Sequence, residues 1–330
     1  MYVLELAGQD DDPLATLEAR AACQGVDHLA PGLATARGLT GRVADLALTR
    51  TACELVARSE PAVSDAVAAL RAAALDREGS DRGETVRVRA RDIRGLTGVS
   101  TKAAERRLGG VLTDHGWSVD LDDPDHELRA LFTEGVCALG WVEVETEGGF
   151  EARRPTDRPF FQPGSMDPTL ARALVNVAGA RPGATVVDPM CGTGGILLEA
   201  GLVGARVLGV DAQWKMVRGA TENLAAYLDG GFAAVRGDAT RLPVCDGAAD
   251  AVVFDAPYGK QSKVVGDLAA LVSGALGEAR RVAPRAVLVA DRPWTDAARE
   301  AGWDVESTIE RRVHRSLVRH IHLLLSEPTD

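Results

Sequence analysis

The stretch Val187-Asp-Pro-Met-Cys-Gly-Thr-Gly-Gly-Ile196 constrains this chain more than any other. A β-rich run, Ala184 to Asp188, stops at a glycine-rich turn and resumes as an apolar helix from Ile196. Gly192, Gly194 and Gly195 carry no Cβ, so the backbone can turn sharply and a ligand can approach its amides. The helix that follows aims unpaired N–H groups at whatever sits in the turn. A glycine turn alone is weak, because any tight strand-to-helix connection can use one. Two later features strengthen it. The strand Arg206 to Val210 ends in Asp211, about twenty residues beyond the glycines, which is the spacing of a carboxylate that bonds ribose hydroxyls. The strand Ala251 to Phe254 then runs into Asp255-Ala-Pro-Tyr258.

From Ser165 onward, strand-like and helix-like segments alternate, which specifies a doubly wound, mostly parallel sheet. Asp167-Pro168 opens the first helix, and two last β pieces, Asp304–Val313 and Leu317–Leu325, suit an antiparallel hairpin at the sheet edge. The front half reads differently. Residues 1–50 form a small α+β unit, with a strand at Tyr2 to Ala7, a helix from Asp12-Pro13, and strand-like pieces at His28 to Ala36 and Val43 to Thr49. Residues 51–147 read as a second α+β unit. Pro61 opens a helix there, and Ser100 or Thr101 caps another. Glu84-Thr-Val-Arg-Val-Arg-Ala-Arg alternates with period two, placing Arg87, Arg89 and Arg91 on one side of a strand. Residues 148–164, rich in Arg and Pro, read as a linker, leaving 165–330 as the doubly wound domain.

Composition narrows the partners. The 330 residues are 46% hydrophobic and 26% charged, as in a folded soluble protein, and no run is long and apolar enough to span a membrane. The start, Met1-Tyr-Val-Leu-Glu-Leu, lacks a basic segment, so the expectation is a cytoplasmic protein without a secretory leader. Five cysteines, far apart and without a Cys-x-x-Cys pair, fit reduced thiols and argue against structural zinc or disulfides. The net charge of −11 counts against a polyanionic partner on its face. Two readings compete: a non-polyanionic substrate, or an acidic coat for high salt with arginine reserved for local sites. Local arginine clusters at 82–94, 106–107, 153–158, 280–281 and 311–319 favour the second.

Ligands of such sheets lie at the carboxyl ends of the strands, near the switch in strand order. Asp188, the glycines, Asp211, Gly237-Asp238 and Asp255 all fall there. Asp238 alone serves equally well as a helix cap, and Cys191 reads as a small packing residue. The order of glycine turn, ribose acid and Asp-x-Pro-Tyr describes an S-adenosylmethionine site beside an amine-methylating centre. An exocyclic base amine is a poor nucleophile because its lone pair is delocalised. It needs acceptors that hold its hydrogens, and the Asp255 carboxylate and the Ala256 carbonyl supply them. Pro257 stiffens the turn, Tyr258 can stack on an extracted base, and no metal is required.

Residues 153–260 resemble the archaeal tRNA guanine-N2 methyltransferases that modify guanosine 10. The similarity rests on Arg158-Pro-Phe-Phe-Gln-Pro-Gly-Ser-Met-Asp-Pro168, Asp188-Pro-Met-Cys-Gly-Thr-Gly-Gly195, Val210-Asp211, Gly237-Asp238 and Asp255-Ala-Pro-Tyr-Gly259. The front half is similar to that family's ferredoxin-like domain followed by a THUMP domain, on the weaker motifs Arg87-Val-Arg-Ala-Arg91 and Val119-Asp-Leu-Asp-Asp-Pro124. The resemblance implies a Rossmann-like class I methyltransferase that takes S-adenosylmethionine and tRNA, with an accessory protein left open. It implies that Phe160 to Asp167, including Phe161 and Ser165, holds the methionine end, with Asp188, Pro189, Cys191, Gly192, Thr193 and Gly194 around it. It further implies Asp211 on the ribose, Asp238 and Ala239 near the adenine, and Asp255, Ala256, Pro257 and Tyr258 on the target guanine. Arg87, Arg89, Arg91, Lys260 and Lys263 are the candidate RNA contacts. The family carries a second proline where this chain has Ala256. Another tRNA guanosine, such as position 6, or an amine of rRNA, DNA or protein glutamine remains an alternative target.

Overall fold

The computed structural model describes residues 1–8, 11–73, 83–146, 148–257, 268–314 and 317–326. They divide into two compact units, Met1–Gly148 and Gly149–Asp330. None of the described helices is long and apolar enough to cross a membrane.

The first unit is built on strands β1 (Tyr2–Leu6), β2 (Cys23–Gln24), β3 (Asp27–Ala30), β4 (Leu33–Ala36), β5 (Gly38–Leu39), β6 (Thr49–Ser59), β7 (Thr85–Asp92), β8 (Ser118–Val119), β9 (His126–Thr133) and β10 (Val136–Glu145). Eight of them form one sheet, ordered β3-β4-β1-β6-β10-β9-β7-β8. The antiparallel pairing of β1 with β6, and of β6 with β10, therefore makes one sheet of the two front segments that the sequence divides at residue 50. Its helices among the described residues are α1 (Asp12–Ala19), α2 (Val63–Ala72) and α3 (Thr101–Asp114). Ser100 caps α3, its hydroxyl accepting from the Ala103 amide at 3.4 Å. Val86, Val88 and Ala90 of β7 are buried in one cluster with Ala104, Leu108 and Leu112 of α3.

One expectation fails here. Val43 to Thr49 is not strand: Gly41–Asp45 is a 3-10 turn, and β6 begins only at Thr49. The fully buried Glu18 carboxylate explains it, taking the Ala47 amide at 2.8 Å and the Leu48 amide at 2.7 Å. Those donors are satisfied by a side chain rather than by a neighbouring strand.

The second unit continues with α4 (Pro168–Val177), β11 (Thr185–Asp188), α5 (Gly195–Leu202), β12 (Arg206–Asp211), α6 (Trp214–Tyr227), β13 (Phe232–Arg236), β14 (Ala251–Asp255), α7 (Leu268–Val282), β15 (Arg285–Ala290), α8 (Thr295–Glu300), β16 (Asp304–His314) and β17 (Leu317–Leu325). The sheet order is β13-β12-β11-β14-β15-β17-β16, parallel from β13 to β15, with β17 antiparallel to both its neighbours. The chain works outward from β11 to β13, then crosses to β14 on the other side of β11. That reversal opens a crevice beyond the β11 and β14 carboxyl ends. Helix α7 buries Val272, Ala275, Leu276, Ala279 and Val282, at helical spacing, against Val252, Phe254 and Leu288.

Residues 149–164 are no free linker. They lie within the second unit and are held by buried charge. The Arg153 guanidinium forks onto the Glu199 carboxylate of α5 at 2.9 and 3.2 Å, and Arg172 of α4 adds a contact at 3.0 Å. Glu199 is fully buried, and Arg158, also buried, donates Nε to the Arg153 carbonyl at 3.0 Å. Burial lowers the Arg158 pKa, opposed by the attraction of Glu199. The segment is thus a strap, and Glu199 is the anion that lets three arginines stay out of water. Replacing Glu199 with Ala strands those cations. The expected result is about 3–5 kcal/mol less stability for this unit, read as a lower urea midpoint. An unchanged midpoint would mean that the arginines are not held by Glu199.

Candidate active site

The crevice is a cavity of about 1420 Å³. The turn after β11 is fixed by backbone bonds from Cys191 to the Val210 carbonyl (3.0 Å) and from Gly194 to the Cys191 carbonyl (2.7 Å). Gly192 (φ 50°) and Gly194 (φ 78°) take the left-handed backbone that glycine tolerates. At Gly192 a Cβ would meet nothing within 4 Å, so the turn presents an open floor. Asp211 ties this turn to β12, one carboxylate oxygen accepting from Gly192 at 3.1 Å and the other from Gln213 at 2.8 Å. Asp238, beyond β13, accepts from the amide and hydroxyl of Thr240 at 2.9 and 2.8 Å, so it closes a tight turn and caps no helix. At the end of β14 the Asp255 carboxylate lies 3.6 Å from the Arg319 guanidinium of β17. The Ala256 amide extends the ladder one step, donating to Val289 at 2.8 Å.

Twelve of the residues singled out in the sequence share this cavity. Ser165, Asp188, Pro189, Cys191, Gly192, Thr193, Asp211, Asp238, Ala239, Asp255, Ala256 and Pro257 all line it. Four others do not. Asp167 is the N-cap of α4, accepting from Thr169 and Leu170 at 2.9 and 3.3 Å. Gly194 is the N-cap of α5, Phe160 packs on α6, and Phe161 is 46% exposed. Tyr258, Lys260 and Lys263 lie outside the described residues. The end of the strap, Gln162 to Gly164, reaches the cavity together with the Ser165 and Met166 that follow it, the Ser165 hydroxyl lying 3.0 Å from that of Thr193. Sequence reasoning missed Lys215 and Met216 on α6, and Leu271 and Gly274 on α7, which complete the wall. At Gly274 a Cβ would come within 2.7 Å of Thr240, a constraint that only the fold reveals.

The electrostatics follow from three carboxylates at adjacent strand ends. Burial drives the Asp188 pKa well above its ordinary value, Asp211 and Asp255 push it further, and the Met190 amide, donating at 2.9 Å, opposes. Burial also raises Asp211, against the Gln213 and Gly192 amides. Cys191 is raised as well, by burial first and then by Asp188, which suits a packing residue and not a reactive thiolate.

Among the arginines of β7, Arg87 and Arg91 are already paired. Arg87 contacts Glu127 at 2.5 Å, and Arg91 contacts the buried Glu5 at 3.0 Å. Arg89 has no such partner among the described residues. With Lys102 and Arg106 of α3 it borders a groove of about 400 Å³ whose floor includes Gly109 and Gly110.

The family model described as UPF0020, RMKL-like, methyltransferase domain, matches residues 155–321, a range that includes most of the strap. A protein of Methanothermobacter thermautotrophicus named tRNA (guanine(10)-N2)-dimethyltransferase is 43% identical over 178 residues, 53% of each chain. A protein of Pyrococcus abyssi with the same name is 32% identical over 232 residues, covering 68% of this chain and 69% of its own. The chain thus spans about half the length of the first relative and about two thirds of the second. Among solved structures, TrmN from Thermus thermophilus matches with a TM-score of 0.52 and 26% identity over 99% of both chains.

A buried carboxyl with a raised pKa gives a pH test. Its stabilising contribution is complete below the ordinary carboxyl value and is lost as pH rises through the folded value. Asp188→Asn keeps the Met190 bond and cannot ionise. The variant should unfold at a higher temperature than the parent at pH 8, with the gap narrowing on acidification to pH 5. A gap independent of pH would show that Asp188 does not titrate in this way.

Proposed function

This chain belongs to the UPF0020, RMKL-like methyltransferase family, and on that premise we propose that it transfers methyl groups from S-adenosylmethionine to the exocyclic N2 amine of guanosine 10 in tRNA. The observation that carries the proposal is the shared cavity: the glycine turn and Asp211 open into the same space as Asp255, Ala256 and Pro257. Its volume of about 1420 Å³ exceeds that of common small-molecule pockets, roughly 300–1000 Å³, and leaves room for a nucleobase beside a cofactor. The choice of base and position is supported by the names of the archaeal relatives.

The residues present fit the cofactor. The open floor at Gly192 admits close approach of its methionine end, beside the hydroxyls of Ser165 and Thr193. Asp211 offers carboxylate oxygens to ribose hydroxyls, and Asp238 and Ala239 border the adenine end. The acidic rim suits a cationic ligand, with Asp255 paired to Arg319 and Asp188 resistant to ionisation. When bound, S-adenosylmethionine supplies an electrophilic methyl group on a positively charged sulfur.

The chain's own residues then act on the amine. Asp255 and the Ala256 carbonyl accept its two hydrogens and draw the nitrogen lone pair out of the ring. Alignment of that lone pair with the methyl group is the larger part of the catalysis, because displacement at a sulfonium depends mainly on positioning. The proton lost on transfer passes to Asp255 and on to water. Pro257 stiffens the loop, and Tyr258 supplies an aromatic face for the base. Repetition of the cycle gives the dimethylated product. Residues 1–50 and 51–147 are assigned as ferredoxin-like and THUMP segments that hold the tRNA, acting in the cytoplasm.

Asp255→Ala should lower methyl transfer at least about a hundredfold while S-adenosylmethionine affinity, measured by calorimetry, stays within about threefold. Equal loss of both would contradict the assigned role. For the RNA, Arg89 is the better phosphate contact, since Arg87 and Arg91 are spent on Glu127 and Glu5. Arg89→Glu should weaken tRNA binding and reduce its salt slope by roughly one. An unchanged slope would place the RNA surface elsewhere.

A further inference from the structure

Asn223 does not line the cavity and is fully buried on α6. A buried carboxamide needs partners, and this one has three. Its Oδ1 accepts from the Phe160 amide at 2.9 Å. Its Nδ2 donates to the Phe160 carbonyl at 2.9 Å and to the Thr193 carbonyl at 2.9 Å. One side chain thereby satisfies both backbone groups of a strap residue and one carbonyl of the glycine turn.

One helical turn earlier lies Gly219. A Cβ there would fall 2.0 Å from Cδ1 of the Phe160 ring, so only glycine leaves the ring its seat on α6. One turn earlier still, the Lys215 ammonium donates to the Gln162 side-chain oxygen at 3.0 Å and stands 5.7 Å from the Phe160 ring centre. Lys215, Gly219 and Asn223 recur every fourth residue and form a single stripe on α6. The strap lies along it, and its next residues, Gln162 to Met166, are the ones that wall the cavity.

We propose that Asn223, seated above Gly219, is a positioning residue for the cofactor pocket, holding the strap and the glycine turn in a single register. The inference rests on the assignment of the cavity to S-adenosylmethionine. Truncating Asn223 removes the partner of the buried Thr193 carbonyl and of the half-buried Phe160 amide and carbonyl, and the strap drifts from the turn. Asp255, which carries the chemistry, is not among the groups that Asn223 touches.

The test is calorimetric titration of the full chain with S-adenosylmethionine, paired with turnover at saturating cofactor. Asn223→Ala should weaken binding about tenfold or more with turnover held within about threefold, a split that a general loss of structure does not produce. Gly219→Ala should do the same by evicting the Phe160 ring. In a Phe160→Ala background the added methyl meets no ring, so Gly219→Ala should cost nothing more. Affinities within about twofold of the parent for both single variants, or an equal cost of Gly219→Ala in both backgrounds, would overturn the proposal. A parent chain that bound no S-adenosylmethionine would overturn the assignment of the cavity, and the positioning role with it.

Discussion

Strand β14 pairs in parallel directly beside β11, Val186 opposite Ala251 and Val187 opposite Val252. The site depends on this adjacency. It sets Asp188 and Asp255 at neighbouring strand ends and leaves a crevice where the chain reverses its direction across the sheet. The glycine turn and residues Asp255 to Pro257 thereby line the same cavity from neighbouring strand ends. Asp211, held by the Gly192 amide, extends the same logic one strand further out.

Charge distribution gives the crevice its character. Carboxylates crowd one rim, and burial keeps Asp188 resistant to ionisation. Arg319 is placed against Asp255 from the antiparallel strand β17. On the other side of α5, the buried Glu199 gathers Arg153 and Arg172 and fastens the strap. The acidic overall balance therefore coexists with arginines, among them Arg87, Arg153, Arg172 and Arg319, that are committed to internal pairs. A net charge of −11 thus says little about which cations remain exposed.

Much of this was legible in the sequence, and the exceptions have physical causes. The glycine turn, the strand-end Asp211 and the Asp-x-Pro segment could be read because each is local: a few residues fix the conformation. The alternation of strands and helices was equally plain. The strap was read as a linker because arginine and proline dominate it, and the partner that orders it, Glu199, lies 46 residues from Arg153 and looks like any helical glutamate. Val43 to Thr49 was read as strand because nothing local shows that Glu18 takes its amides. Asn223 did leave a trace, as a polar residue among the buried Ala220 and Leu224 of α6, but its partners are 30 and 63 residues away. Arg87 and Arg91 alternate as a phosphate-binding strand would, and only the register of β7 against β9 and the approach of Glu5 reveal that they are paired.

The central claim is that the cofactor cradle and the Asp255 loop serve one nucleobase amine. Its most direct measurement is incubation of the full chain with unmodified tRNA and methyl-labelled S-adenosylmethionine, followed by nucleoside mass analysis and mapping of the labelled position. The account predicts label on N2 of guanosine 10, as mono- and then dimethylguanosine. Label on adenosine or cytidine, or none on tRNA while the cofactor is bound, would contradict it.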